Sequence, residues 1–138
     1  MLGLAAPGLF TATGDGRGAP AGQVLRVHGD GSSDAPQDLA TYDAGSGKSS
    51  PNPITPGTPG DILYLILYGT GIRHFASTPT CTIGHQTIPV DYAGAQGAFE
   101  GLDQINVRLP ANLAAGETLP LTVTVDGVAS NTVTLMIQ

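Results

Sequence analysis

The sequence predicts an antiparallel β-sandwich with little helix. Three observations carry that expectation. Short apolar runs alternate with polar residues at period two, which is the pattern of a strand with one buried face. The runs end at Gly, Pro, Asn and Asp, and the 20 glycines and 11 prolines are spread along the chain without a collagen period, so they read as turns. The segment "LPLTVTVDGVASNTVTLMIQ" is a hairpin by every local signal, with Asp126-Gly127 as a turn that tolerates positive φ.

Taken in order, "PGLFTATG" is a first strand. "GQVLRVHGDGS" sets Val24, Arg26 and His28 against Leu25 and Val27, and stops at Gly29-Asp30-Gly31. "PQDLATYDA" has room for a helical turn or two, and residues 44–60 read as a long Gly/Ser/Pro loop. "DILYLILYGTGI" is apolar on both faces, the pattern of a strand covered on both sides. "TCTIGHQTIPVDYAG" reads as two short strands around Gly84-His85, followed by a Gly/Ala loop over 93–102. "DQINVRLP" points Ile105, Val107 and Leu109 inward and Asn106 and Arg108 outward, and Pro110 ends it. "PANLAAGE" could form a helical turn. In the terminal hairpin Leu119, Leu121, Val123 and Val125 share a face, as do Val133, Leu135 and Ile137 on the return. The whole reads as a single domain over 1–138, a size at which a core forms without disulfides.

Composition excludes several function classes. The net charge is −6 and the five Lys and Arg are scattered, so there is no footprint for nucleic acid or for an anionic membrane surface. No apolar run is long enough to span a membrane as a helix. The lone Cys81 has no disulfide partner and reads as a small buried strand residue. "MLGLAAPGLF" lacks a basic n-region and is interrupted by Pro7-Gly8, so it does not read as a signal peptide.

Several motifs mimic chemistry and fail on their context. Gly47-Lys48-Ser49 resembles the end of a phosphate loop, but Tyr42 stands where a Gly is needed, and Pro51, Pro53 and Pro56 forbid the following helix. "GTGIRH" has His74 in place of the third Gly of a dinucleotide fingerprint. Asp30, Ser32 and Asp34 have calcium-loop spacing, but Ala35 replaces the Gly and the distal Glu is absent; only a weak surface site is left open. His28, His74 and His85 form no metal pair, and His28 and His85 read as solvent-facing. Glu100 and Glu117 sit in apparent loops, so no carboxylate pair for glycoside chemistry emerges from Asp61, Asp91 or Asp103. Asp103 stands where a strand begins and is expected to accept backbone N–H bonds and pin a loop. The sequence therefore nominates no catalytic, cofactor-binding or metal residue, and the expectation is a protein that is not an enzyme.

Ala6-Pro7-Gly8-Leu9-Phe10, Tyr68-Gly69-Thr70-Gly71, Tyr92-Ala93-Gly94 and Gln104-Ile105-Asn106-Val107-Arg108-Leu109-Pro110 resemble an uncharacterised domain found at the C-terminal end of secreted multidomain proteins, chiefly of acidobacteria. The second half is also similar to immunoglobulin-like modules of the transcription-factor and plexin type, with "TIGHQTIPVDYAG" in place of their short hairpin. The resemblance implies an extracellular or cell-surface, immunoglobulin-like, non-enzymatic module and transfers no site residues. The function expected is structural or adhesive. The partners expected are the chain itself or neighbouring domains, reached through edge strands, with filament formation if the N-terminal segment adds to the next subunit rather than to its own sheet. The alternative is a carbohydrate-binding accessory module reaching cell-surface glycans. It ranks second because Tyr42, Tyr64, Tyr68, Tyr92 and three Phe are few, and most are expected in the core.

Overall fold

The computed structural model describes residues 7–12, 14, 18–55, 60–72, 76–98, 101–110 and 116–138. These residues form strands, turns and irregular segments, with no helix among them. The strands are β1 (Gly8–Leu9), β2 (Gly22–Val27), β3 (Gln37–Asp38), β4 (Ala40–Asp43), β5 (Lys48–Pro51), β6 (Ile62–Thr70), β7 (Thr80–Ile83), β8 (Gln86–Ile88), β9 (Val90–Ala95), β10 (Asp103–Leu109), β11 (Thr118–Val125), β12 (Val128–Ala129) and β13 (Val133–Met136). The first sheet has the order β3-β2-β6-β10-β9, with β1 also on β6. In the second, β11 is flanked by β7 and β8 on one side and by β12 and β13 on the other. All these pairings are antiparallel.

The two sheets are joined by one aliphatic core. Leu65, Leu67, Ile105 and Val107 from the first sheet and Ile83, Leu121, Val123 and Val133 from the second are fully buried. Each contributes about 1.5–3 kcal/mol of burial. Cys81 is buried among them, as its strand position implied. Desolvation pushes its thiol up to about 12, so it does not ionise near neutral pH.

The terminal hairpin matches its sequence pattern, with one addition. Asp126 (φ 48°) and Gly127 (φ 84°) make the turn between the paired Val125 and Val128. Thr124 faces Ala129, but Leu121 faces Val133, so the return strand holds one extra residue. That bulge is held by Ser130, whose N–H donates to the Val123 carbonyl and whose hydroxyl accepts the Val123 N–H. It frees Asn131 to reach the first sheet: its Oδ1 accepts the Leu9 N–H at 2.7 Å and its Nδ2 donates to the Leu9 carbonyl at 3.1 Å.

β1 and β2 are two parts of one lane along β6. Leu9 faces Gly69, and Gly22 faces Leu67. Between them the chain leaves the sheet and returns, closed by the Thr11–Pro20 bridge. The first strand thus completes its own sheet; residues 1–6 lie outside the described residues.

Four expectations need correction. The loop over 44–60 is interrupted, because β5 folds back on β4 and Ile54 pairs in parallel with Ile137. The "PQDLATYDA" segment forms β3 and β4 rather than helix, since the edge of β2 and the returning β5 both offer strand partners. The 93–102 loop begins later, because β9 runs to Ala95 opposite Asp103. β6 is not covered on both sides: Leu63, Leu65 and Leu67 are buried, whereas Ile62, Tyr64, Ile66 and Tyr68 are half-buried. The expected turn at "PANLAAGE" falls largely on 111–115, outside the described residues.

Candidate binding face

The half-buried side of β6 belongs to a continuous outer sheet face. Register fixes its rows. Phe10 donates its N–H to the Tyr68 carbonyl, which places it beside Tyr68; Tyr68 faces Gln104, and Gln104 faces Gly94. The next row is Gln23, Ile66, Asn106 and Tyr92, and the next Leu25, Tyr64 and Arg108. Val27 and Ile62 form the last. Rings, aliphatic side chains and uncharged amides thus alternate over one surface. Phe10 and Tyr92 are both 44% exposed.

Several of these side chains are held in place. The Tyr92 hydroxyl donates to the Ala95 carbonyl at 2.6 Å, and its phenol end lies over Gly94, where any Cβ would stand 3.0 Å from the hydroxyl oxygen. Asp91 is the extra residue of an edge bulge, since Asn106 faces Tyr92 while Val107 faces Val90. Bulges re-aim side chains and blunt sheet edges. Gln104 Nε2 donates to Asn106 Oδ1 at 2.9 Å. The Arg108 guanidinium lies 5.6 Å from the Tyr64 ring centroid. Beside Arg108 the surface dips into an open cleft of about 410 Å³, lined in part by Gln86, Thr87, Pro89, Asp91 and Pro110.

The expectation that most aromatics lie in the core is overturned. The buried core contains no aromatic among the described residues. Tyr42 is 65% exposed on β4, and Phe10, Tyr64, Tyr68 and Tyr92 lie on the outer face. Phe75 and Phe99 lie outside the described residues.

A second cluster sits at the end of the sandwich. Arg26 faces Leu63, so the side of β2 that carries Arg26 and His28 is the core-facing one. His28 is not simply solvent-facing: its Nε2 lies 2.8 Å from Asp34 Oδ1 and its Nδ1 3.2 Å from Asp61 Oδ1. Arg26 pairs with Asp61 at 3.2 Å and donates to the Thr55 carbonyl. The Asp34 and Asp61 carboxylates hold the His28 pKa above its ordinary value, the Asp34 hydrogen bond contributing most. Periodicity did not reveal this because Asp61 lies 33 residues from His28.

The other candidates separate. Asp30 accepts the N–H and hydroxyl of Ser32, while Asp34 turns to His28, so the two acids serve different partners. No group of three or more His, Cys, Asp and Glu among the described residues is placed to hold a metal ion. Lys48 opens β5, and Gly47 donates its N–H to the Asp43 carbonyl in the hairpin turn, which leaves no phosphate loop. His85 is exposed in the turn between β7 and β8, as expected. Asp103 behaves as expected: it is 2% exposed and accepts the Ile72 N–H at 2.8 Å. His74 and Glu100 lie outside the described residues.

No protein-family model matches this chain. No curated protein and no solved structure matches it significantly either.

Proposed function

We propose that this chain is a non-catalytic, extracellular, immunoglobulin-like module with a structural or adhesive role, and that it acts through the outer face of its first sheet. The observation that carries the reading is the row of half-buried and exposed rings and aliphatics along β6 and its neighbours. Contiguous apolar side chains rimmed by polar ones mark interaction sites. The resemblance of Tyr68-Gly69-Thr70-Gly71 and the β10 segment to secreted C-terminal domains supports the extracellular and immunoglobulin-like parts.

The face supports the reading better than the edges do. Gly8 and Leu9 already pair with Thr70 and Gly69 of their own chain, and Asn131 fastens Leu9 there. The Ala95 carbonyl on the edge strand β9 is engaged by Tyr92. Filament growth through the N-terminal segment requires those contacts to be exchanged between subunits. Beads coated with the chain should adhere to one another or to bacterial envelope material, and Ile66→Lys should abolish adhesion while the urea midpoint is kept. Adhesion unaltered by Ile66→Lys but lost on deleting residues 1–10 would transfer the function to strand exchange and refute the face.

A further inference from the structure

We infer that the outer face is a binding platform for a neutral polysaccharide chain running across the strands. This rests on the adhesive-face reading and names its occupant. The first support is geometric. Phe10, Tyr68 and Tyr92 stand on the β1, β6 and β9 lanes, with Gln104 and Asn106 on the β10 lane between Tyr68 and Tyr92. At roughly 4.8 Å per lane the band is about 14 Å wide, enough for several sugar rings. The Gln104 and Asn106 amides lie within the band. Pyranose rings present C–H faces and a girdle of hydroxyls, so they need apolar rings to stack on and uncharged donors and acceptors beside them.

The second support is pre-organisation. Tyr92 has its hydroxyl tied to Ala95 and still exposes 44% of its surface, so what it offers outward is ring rather than phenol. A side chain held before binding loses less entropy on binding. The edge bulge leaves both Asp91 and Tyr92 exposed, and the cleft past Arg108 adds hydrogen-bonding side chains from Gln86, Thr87 and Asp91 where the band ends.

The third support is charge. Among the described residues the face carries one cation, Arg108, already laid against Tyr64, with Asp91 and Asp38 at its margins. The chain as a whole is at −6. An anionic polymer would be repelled, whereas an uncharged one would not.

The test is affinity electrophoresis of the purified chain in native gels containing hydroxyethyl cellulose, xyloglucan, galactomannan or a soluble β-1,3-glucan, with polygalacturonate as the anionic control. At least one neutral polysaccharide should retard the chain. Tyr68→Ala and Tyr92→Ala should each weaken retardation about tenfold or more. Tyr42→Ala, off the face, should leave it unchanged, and Tyr92→Phe should keep most of it. Urea midpoints of all variants separate lost binding from lost folding. No retardation by any neutral polymer, retardation by polygalacturonate alone, or retardation indifferent to Tyr68 and Tyr92 would each overturn the inference. If in those cases Ile66→Lys still abolishes bead adhesion, the adhesive face stands and only its occupant is wrong.

Discussion

Replacing Gly69 by alanine places a methyl carbon 2.1 Å from the Gly8 carbonyl oxygen and 3.2 Å from the Leu9 Cα. Both neighbours are backbone, so β1 must leave the lane. Its departure breaks the Phe10–Tyr68 hydrogen bond and the two bonds between Asn131 and Leu9. These contribute about 1 kcal/mol each. Leu9, 3% exposed, returns to water. That loses about 2 kcal/mol. Freeing residues 8–10 regains about 1 kcal/mol of conformational entropy per residue. The expected net destabilisation is therefore about 2 kcal/mol. Urea unfolding measures it, and hydrogen exchange at the Leu9 and Phe10 amides locates it. In a chain already lacking residues 1–10 the same substitution should cost little, because its victim is gone. A Gly69→Ala chain that keeps both amides protected, with stability within about 0.5 kcal/mol of the parent, would refute the docking of β1.

Asp103→Ala leaves the Ile72 N–H without its buried acceptor and should cost about 1–3 kcal/mol, with Asp103→Asn milder; equal urea midpoints for all three chains would contradict it. His28 has a folded pKa raised above its ordinary 6.5, so its stabilisation is complete below about that pH and is lost as pH rises through the folded value. Urea midpoints measured upward from about pH 6 should fall in the parent and stay flatter in His28→Asn; identical slopes would remove the clasp from the stability account. Cys81, with its thiol near 12 and its side chain buried, should ignore a disulfide reagent in the native state and react once urea unfolds the chain; prompt native reaction would show the β7 core to be open.

Much of the scaffold was legible locally. Period-two alternation in "DQINVRLP" and "LPLTVTV" is a statement about which side of a pleat each residue takes, and the pleat does not depend on distant partners. Asp126-Gly127 named its own turn, because positive φ is a property of those residues. Asp103 was legible for a similar reason: a carboxylate at the start of a strand lies within reach of backbone donors. The bulge at Ser130 was not legible, since one extra residue shows only against the register of β11.

The candidate face was misread for a definable reason. Apolar residues on both sides of β6 fix that both sides avoid water, but not what covers each. The outward role of Leu25 and Val27, with Arg26 and His28 turned to the core side, was equally hidden. An Arg can face inward at a sandwich end only if an acid meets it, and Asp61 arrives from the start of another strand. By itself the sequence determined an all-β fold, its terminal hairpin, its aliphatic inner stripe and the failure of its phosphate-loop mimic. The tertiary structure alone decided that Tyr64, Tyr68 and Tyr92 stand outside the core and gather with Phe10 on one surface. Alternation assigns a residue to a side, and only the pairing of strands decides which side meets the other sheet and which is left to meet a partner.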